Sequence, residues 1–350
     1  MAGIEIREYS GDFEDVIELS WRVWIAEYAG KTWAPLPDAE FLRQKFAPET
    51  GAICLVAYEA GKLIASVFAL PRMMRFGDEV HPVAMCGGFT VEPSKRRVAL
   101  PLTERLRRLT EERGAAAGIG LVLDDPTSPS FRFWMKFAEA YPKTFRIAFK
   151  GGIMAKFLRP ESIARAGIAR WERVASRTLG PLLRGTVFGN DPNIRPYRST
   201  DLDRCLQLTQ TSTRNVDWAM QWTREELSAQ LDPGHYTTLV YERDGVVQAF
   251  VNTHSMVLQG REKIWGANID VWAEDDMTAL GRAHLVGRVC KDLRAAGMDA
   301  LVAPRMGSMP TSALAANLFM PASRGFYIGL FPTDRTRSVP TPKTWSFEVI

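Results

Sequence analysis

The chain has 350 residues, of which 46% are hydrophobic and 24% are charged. This composition excludes a disordered chain, a collagen-like repeat and a small disulfide-rich protein, and the length predicts about two domains. The 44 basic and 40 acidic residues leave a formal net charge of only +4. Such a balanced chain argues against a nucleic-acid partner, although it permits acidic ligands.

The cysteines and the apolar runs bear on the cellular compartment. Cys54, Cys86, Cys205 and Cys290 lie far apart, with no Cys-x-x-Cys pair and no Cys/His cluster at metal-ligand spacing. We therefore expect reduced thiols and no metal. The sequence has no run of about 18 apolar residues, so no membrane span is predicted, and the first residues do not follow the pattern of a secretory signal. The expectation is a cytoplasmic protein with no membrane partner.

Hydrophobic periodicity predicts the elements of the first half in chain order. Residues 4–9 alternate between apolar and polar, as a half-buried strand does, and an amphipathic helix over 13–28 follows. The other predicted elements are a short helix near 38–46, strands over 52–59, 62–76 and 80–91, a helix over 100–113, a strand over 119–123, a helix over 128–137 and a strand over 145–158.

The second half repeats that order of elements. A strand over 194–198 is followed by a helix that Ser199 to Asp201 would cap and that ends near 211. The other predicted elements are a helix over 223–231, strands over 236–242, 246–257 and 261–272, a helix over 277–296, a strand over 300–303, a helix over 311–317 and a strand over 325–331.

The strongest internal match is a hairpin at the same place in both halves. In 56–65 and in 239–249, two apolar strands flank a short turn, Ala60-Gly61 in the first and Asp244-Gly245 in the second. One hairpin would prove little, but a shared element order indicates a duplicated unit. A helix over 162–177 and several Gly and Pro residues after it are typical of a connector. We predict domains over 1–159 and 194–350, joined by a connector over 160–193.

One motif lies where the third strand of the first hairpin-led sheet ends. Val91-Glu92-Pro93 closes that strand, and Lys95-Arg96-Arg97 precedes the next helix. A helix N-terminus presents unpaired N–H groups and a positive dipole end, both of which suit a pyrophosphate. With the element order, this motif resembles the GNAT superfamily of N-acyltransferases, whose strand ends in Val-x-Pro before an Arg- and Gly-rich loop. The resemblance implies an α/β (α+β) fold of two tandem GNAT-like domains, each a mixed, mostly antiparallel sheet flanked by helices.

The resemblance also implies where an acyl-CoA co-substrate, expected to be acetyl-CoA, would bind the first domain. The sequence departs from the family at Arg97, Ala99 and Pro101, where Gly or a small residue is usual, but it keeps the positive charge. A bulge at Cys86-Gly87-Gly88, a feature of the family, would leave backbone N–H groups for the pantetheine. The expected contacts are Phe89, Thr90, Val91, Lys95, Arg96, Arg97, Val98, Ala99, Leu100, Pro101, Leu102 and Ser130. The alternative is a solvated basic loop at a helix start.

Three residues are candidates for the catalytic groups of the first domain. The family's acid is a Tyr hydroxyl on the helix after the fifth strand, and Trp134 stands at that position here. An indole can donate a hydrogen bond but cannot act as an acid, so solvent or another group would protonate the thiolate if this half transfers an acyl group. Trp134 could equally be a core aromatic. Glu92 and Asp125 are candidates for the base, and Asp125 could instead shape a turn before Pro126.

The second half departs further from the pattern. Glu274-Asp275-Asp276 stands where the basic loop should be, and three acids would repel a pyrophosphate, so we predict that this half has lost the CoA site. Asn268 and Asp270 share one face of a strand, and His254 lies on the preceding strand. These three residues are predicted substrate contacts, and a solvated polar face is the alternative.

The prediction for the whole chain is an N-acyltransferase, expected to be an acetyltransferase, that moves an acyl group from acyl-CoA to the amine of a small molecule or peptide. One alternative is a divergent GNAT-fold protein that binds CoA or another ligand in a regulatory role without acetyl transfer. Another is transfer from a different acyl carrier, such as a carrier protein or an aminoacyl-tRNA. The expected assembly is a monomer or a homodimer.

Overall fold

The computed structural model describes residues 3–46, 50–186, 188–232, 234, 236–322, 324–333, 336 and 338–347. Their contacts divide the chain into two units. The first unit holds the residues up to Lys150 together with Phe326–Thr341, and the second holds Gly151–Gly325 together with the residues from Pro342 onward. Each unit therefore contains a segment from the other half of the sequence.

The first unit is a seven-stranded sheet path with helices on its faces. Its strands are β1 (Ile4–Glu8), β3 (Ile53–Glu59), β4 (Lys62–Phe76), β5 (Glu79–Val91), β6 (Ala117–Leu123), β7 (Arg146–Gly151) and β16 (Phe326–Pro332), and the short strand β2 (Ala34–Leu36) lies outside this path. Its helices are α1 (Glu14–Tyr28), α2 (Ala39–Lys45), α3 (Ala99–Glu112) and α4 (Pro129–Ala140), with a 3-10 turn over Pro93–Val98. The strand order is β1-β3-β4-β5-β6-β16-β7, antiparallel except for the parallel pair β5–β6 among the registers that the structure describes.

The second unit repeats this arrangement. Its strands are β8 (Ile153–Phe157), β9 (Ile194–Pro196), β10 (Trp218–Gln221), β11 (Tyr236–Arg243), β12 (Val246–Gln259), β13 (Lys263–Glu274), β14 (Ala300–Pro304), β15 (Met320–Pro321) and β17 (Trp345–Ser346). Its helices are α5 (Pro160–Ala166), α6 (Arg170–Thr178), α7 (Gly180–Arg184), α8 (Leu202–Ser212), α9 (Arg224–Leu231), α10 (Ala279–Ala295) and α11 (Thr311–Ala316). The strand order is β9-β11-β12-β13-β14-β8-β15, and β10 pairs in parallel with β17.

Both predicted hairpins form around turns of the same geometry. The backbone φ angles are 51° and 77° at Ala60 and Gly61, and 52° and 75° at Asp244 and Gly245. Two consecutive left-handed residues give a turn whose twist matches that of the flanking strands. The turn thus fixes the register of β3 with β4 and of β11 with β12, and each hairpin provides the second and third strands of its sheet path.

One face of each hairpin, β3–β4 and β11–β12, is covered by a helix with an apolar stripe. Leu102, Leu106 and Leu109 on α3 pack in one cluster with the buried residues of β3 and β4. In the second unit, Cys205 and Leu208 on α8 belong to a cluster with residues of β11, β12 and β13. The mixed, mostly antiparallel sheets flanked by helices confirm the predicted fold class.

Strand β8, from the first half of the sequence, joins the sheet of the second unit, and β16, from the second half, joins the sheet of the first unit. The sequence predicts one strand over 145–158, but the structure divides it at Gly151 and Gly152 into β7 and β8. Strand β8 lies between β14 and β15, and β16, from the second half, lies between β6 and β7. The unit boundaries therefore differ from the predicted ranges 1–159 and 194–350, because residues 151–159 belong to the second unit and 326–341 to the first.

The predicted connector helix over 162–177 is wrong as a single helix. It is broken into α5 and α6 at Gly167–Ala169. A side chain at Gly167 would place its Cβ 2.7 Å from the Ile163 carbonyl oxygen. Glu172 then accepts hydrogen bonds from the backbone N–H groups of Ile168 and Ala169, and so caps the start of α6.

Candidate functional site

The sheet of the first unit opens between its two parallel strands. Strand β5 pairs with β6 only from Val83 to Cys86, opposite Ala117 to Gly120. Beyond that point β5 continues to Val91 and β6 to Leu123, and no pairing joins them in the described structure. Backbone polar groups of β5 that face this opening therefore have no strand partner on β6 in the described structure.

A bulge lies on β5 at the same place. Ser66 of β4 is opposite Thr90, but Phe68 is opposite Gly87, so Gly88 and Phe89 together face the single residue Val67. Gly88 has a φ of 61°, and a Cβ on it would lie 2.1 Å from the Phe68 ring. The bulge predicted from Cys86-Gly87-Gly88 is thus confirmed at Gly88 and Phe89, and only glycine fits its first position without strain.

The basic segment after β5 leads into α3 through a 3-10 turn over Pro93–Val98. Its three cations are held by acids of the same unit. Lys95 and Arg97 both contact Glu59, the latter at 2.7 Å, and Arg96 contacts Glu27 at 3.2 Å. The Lys95 ammonium and the Arg97 guanidinium hold the pKa of Glu59 below its usual value. Because Arg96 and Arg97 remain more than half exposed, an incoming anion can compete for them with the two glutamates.

The remaining predicted cofactor contacts divide between core and surface. Val98, Ala99 and Leu102 are buried in the core against the sheet, so only their backbone could reach a ligand, whereas Leu100 and Pro101 are exposed. Val91 is half-buried at the strand end. Thr90 is buried, and its hydroxyl accepts a hydrogen bond from Trp24 Nε1 at 2.9 Å and donates to the Gly88 carbonyl at 3.1 Å. Thr90 therefore stabilises the bulge from the α1 face of the sheet.

Helix α4 lies against the bulge through aromatic contacts. Phe89 stacks on Phe133 with ring centroids 5.8 Å apart and lies 5.2 Å from Trp134. Trp134 also contacts Phe137, Phe145 and Phe331, and it is buried with them in one cluster. This placement favours the core alternative for Trp134, since its ring is surrounded by aromatic packing partners.

Tyr28 on α1, which the sequence did not single out, lies close to the start of α4. Tyr28, at the end of α1, is buried, and its hydroxyl interacts electrostatically with the Ser130 and Ser128 side chains. Burial raises the pKa of Tyr28 to about 12, so the hydroxyl keeps its proton at neutral pH. The predicted contact Ser130 thus lies near the Tyr28 hydroxyl. No pattern in the sequence links Tyr28 to α4, because 100 residues separate it from Ser128.

The two candidate bases of the first unit are both engaged. Glu92 Oε1 accepts from Arg22 at 2.6 Å and lies 2.9 Å from Lys62 Nζ, so two cations balance its charge. Asp125 is buried, and its Oδ1 accepts from the Thr127 N–H at 3.1 Å and from the Thr127 hydroxyl at 2.7 Å. Asp125 therefore shapes the turn before α4, which was the alternative role for it.

The three residues predicted to contact substrate in the second unit lie together. Asp270 accepts hydrogen bonds from Asn268 Nδ2 at 2.7 Å and from His254 Nδ1 at 2.6 Å. Gln230 of α9 also donates to Asp270 at 3.1 Å and links it to Asn252 at 2.9 Å. The sequence predicted the group on the strands, but it missed Gln230 and Asn252, which only the packing of α9 on the sheet brings there.

Asp270 is also the extra residue of a second bulge. Thr253 of β12 is opposite Ile269, and Asn252 is opposite Val271, so Asp270 has no residue opposite it. Strand β13 thus keeps a bulge on the strand that corresponds to β5. The acids that follow are paired or exposed, with Glu274 bound to Arg282 at 2.7 Å and Asp275 to Arg204 at 3.3 Å. Burial raises the pKa of Glu274 above its usual value, although Arg282 opposes the shift.

The described residues contain neither a metal-holding cluster nor a membrane-spanning helix. No group of three or more His, Cys, Asp or Glu side chains is arranged to hold a metal ion in the ranges that the structure covers. Among the helices of those ranges, none is long and apolar enough to cross a bilayer.

Comparison with solved structures identifies the fold. The chain is similar to N-myristoyltransferase of Saccharomyces cerevisiae with bound myristoyl-CoA, with a TM-score of 0.77 and 13% identity over 95% of this chain and 83% of that one. A structure of that enzyme with myristoyl-CoA and inhibitors gives a TM-score of 0.74 and 13% identity over 100% of this chain and 87% of that one. This is the tandem GNAT fold.

A single GNAT protein adds to the comparison. The GCN5-related N-acetyltransferase from Anabaena variabilis gives a TM-score of 0.54 and 10% identity, over 94% of this chain and 72% of that one. No family model and no curated protein matches the sequence. The GNAT resemblance inferred from Val91-Glu92-Pro93 and the element order is therefore confirmed at the level of the fold.

Proposed function

We propose that this chain is an N-acyltransferase that binds an acyl-CoA in its first unit and transfers the acyl group to the amine of a small molecule or peptide. The observation behind the proposal is the opening of the sheet beyond Cys86, with a bulge at Gly88 and exposed cations at the start of α3. Unpartnered strand N–H groups suit the amides and thioester of an acyl-CoA, and the cations suit its phosphates. Two solved structures with the same fold hold myristoyl-CoA, which supports this class of co-substrate.

The acyl chain is the first property to measure. Acetyl-CoA remains the prediction from sequence, whereas the structural neighbours named above carry a long acyl chain. Isothermal titration with acetyl-, octanoyl- and myristoyl-CoA ranks the chain lengths directly. A ligand of the folded state must also raise the apparent melting temperature, by an amount that grows with its concentration relative to Kd. No binding of any acyl-CoA would contradict the proposal.

The reaction needs little covalent chemistry from the protein. The amine nitrogen attacks the thioester carbonyl carbon, the carbon–sulfur bond breaks, and CoA leaves as a thiolate that takes up a proton. The amine loses one proton to solvent. Backbone N–H groups of β5 beyond Cys86 would stabilise the oxyanion, and positioning of the two reactants provides the rest.

Tyr28 is a candidate to stabilise the leaving thiolate. Its ring lies 6.4 Å from that of Trp24, whose Nε1 donates to Thr90 beside the bulge. With a pKa of about 12 the hydroxyl is protonated at neutral pH and can donate a hydrogen bond to the thiolate, which then takes up its proton from solvent. Tyr28→Phe should lower kcat by roughly 10- to 100-fold, since a hydrogen bond to a charged group contributes about 1.5–3 kcal/mol, with KM little changed. Tyr141→Phe, at an exposed tyrosine on the end of α4, is the matched control.

The basic segment is tested by removing charge in pairs. Arg96→Gln with Arg97→Gln should weaken CoA binding by about tenfold or more, since two charge-assisted contacts to phosphate are lost. Arg105→Gln with Arg108→Gln removes the same charge from the exposed face of α3 further along the helix and should leave the affinity unchanged. Equal weakening by both pairs would contradict a local phosphate site.

One observation favours a second candidate function, binding of CoA without transfer. Glu59 and Glu27 hold all three cations of the basic segment, and Trp134 occupies the position of the family's acid within a packed aromatic cluster. The two functions differ in thiol release. CoA binding with no release of thiol across a panel of amines would favour the ligand-binding role over the transferase.

A further inference from the structure

The second unit has a cleft beside its buried carboxylate. Its enclosed part is about 20 Å³, room for a group about the size of one water molecule, and Asp270, Trp222, Trp272, Thr209 and Ser212 are among the residues that line it. An ammonium group is of this size, and the rest of a small amine would extend out of the open mouth.

Among the described residues, no lysine or arginine is paired with Asp270. Asp270 is only 5% exposed, and its described partners are His254, Asn268 and Gln230. Two of these three are neutral amides, so in the described part of the chain only a protonated His254 could offset the charge. A buried carboxylate without a full counter-charge is costly, and a cation in the adjoining cleft would lower that cost.

The other lining groups also favour a cation. The Thr209 hydroxyl donates to the Leu206 carbonyl at 2.7 Å, and the Ser212 hydroxyl donates to the Thr209 carbonyl at 3.3 Å. Because each hydroxyl hydrogen is used within α8, the oxygen presents lone pairs that accept hydrogen bonds. Trp222 and Trp272 add indole rings, whose faces attract cations.

We propose that this cleft, lined by Asp270, Thr209, Ser212 and the two tryptophans, binds the primary ammonium group of a small organic amine. The carboxylate supplies the charge, the hydroxyl oxygens accept N–H hydrogen bonds, and the bulge at Asp270 turns this residue out of the strand pairing toward the cleft. The site lies within the second unit and needs no acyl-CoA, so it is independent of the proposed acyl transfer.

The test is binding to the full chain without any CoA. Isothermal titration and thermal shift with butylamine should give binding, whereas 1-butanol, which has the same shape but no charge, should give none. Tetramethylammonium has a charge but no N–H to donate, and it should bind about tenfold more weakly or worse. Equal binding of butylamine and 1-butanol, or no binding of either, would overturn the site.

Variants separate the site from a surface effect. Asp270→Asn should weaken butylamine binding by at least about tenfold, because a charge-assisted hydrogen bond is lost. Asp244→Asn removes the same charge from an exposed turn of the same unit and should change nothing. Ser212→Ala keeps the carboxylate and removes one acceptor, so it should weaken binding several-fold even if Asp270→Asn fails to fold. Unchanged affinity in Ser212→Ala together with unchanged affinity or misfolding in Asp270→Asn would overturn the proposal.

Discussion

Gly88→Ala is the substitution that most directly tests the bulge on β5. Gly88 adopts a φ of 61°, in the left-handed region where a Cβ meets the following carbonyl oxygen. The added Cβ would also lie 2.1 and 2.3 Å from two carbons of the Phe68 ring. Phe68 is buried and packs against Phe46, with ring centroids 4.8 Å apart, and against Phe13 at 6.3 Å. The ring therefore has little room to move.

The expected cost is the sum of two effects. A non-glycine residue in the left-handed region loses about 1–2 kcal/mol, and overpacking a filled core by one methyl group costs about 1–3 kcal/mol more. Gly88→Ala should thus lower the free energy of unfolding by about 2–5 kcal/mol. This is a large fraction of the stability of a typical domain, about 5–15 kcal/mol.

Urea denaturation followed by tryptophan fluorescence measures the difference, and Gly77→Ala is the matched control. Gly77 has the same φ of 61°, but nothing lies within 4 Å of a Cβ built on it. The control should cost only the backbone term, about 1–2 kcal/mol. The second measurement is CoA binding, which Gly88→Ala should weaken if the bulge presents N–H groups to the ligand, and which Gly77→Ala should leave intact.

Equal destabilisation by the two substitutions would refute the close contact with Phe68. A second variant keeps the interpretation testable if Gly88→Ala does not fold. Adding Phe68→Leu to Gly88→Ala makes room for the methyl group, so the double variant should lose less stability than the two single changes together. Additive losses would show that the two side chains do not meet.

Buried thiols, a buried lysine and an aromatic core residue give three further expectations. Cys54, Cys205 and Cys290 are buried, and burial raises the pKa of each thiol to about 12, so these three should not react with Ellman's reagent at pH 8 in the native protein, whereas Cys86 is partly exposed. Release of more than one thiol equivalent before denaturation would contradict the burial of the other three. Lys156→Met should cost about 1–3 kcal/mol, because the buried ammonium donates to the carbonyls of Asn317 and Gly185 at helix ends. Burial lowers the pKa of Lys156, so above this lowered pKa the unfolded chain binds more protons than the folded protein. The free energy of unfolding of the wild type should therefore rise relative to that of the variant as the pH rises toward 10, and the opposite slope would contradict this. Trp134→Phe should lower stability by about 1–3 kcal/mol and leave the pH profile of thiol release unchanged, whereas an altered profile would indicate a catalytic role.

Local patterns in the sequence predicted most of the elements and their order, but not the short strands β2, β10, β15 and β17. Alternation and helical periodicity predicted the strands and helices of both halves, since these signals come from residues close in the chain. The turns at Ala60-Gly61 and Asp244-Gly245 predicted both hairpins, and the glycine within β5 predicted the bulge. The motif Val91-Glu92-Pro93 together with the element order indicated the fold, which the solved structures confirm.

The exchange of the last strands could not be predicted in the same way. A strand over 145–158 satisfies its pattern equally well in one piece or in two, because alternation fixes the face of a strand and not its partner. Only the pairing of β8 with β14 and of β16 with β6 decides which sheet each one completes.

The candidate sites show the same division. The sequence by itself indicated the bulge near Gly88, because glycine within a strand is typical of a bulge, and it singled out Asp270 as a polar residue on a strand face. The tertiary structure decided what surrounds them: Phe68 behind Gly88, Tyr28 beside Ser130, Gln230 and His254 on Asp270. Charge balance and proton affinity depend on neighbours that are close in space and distant in the chain, so the chemistry of both sites is set by packing.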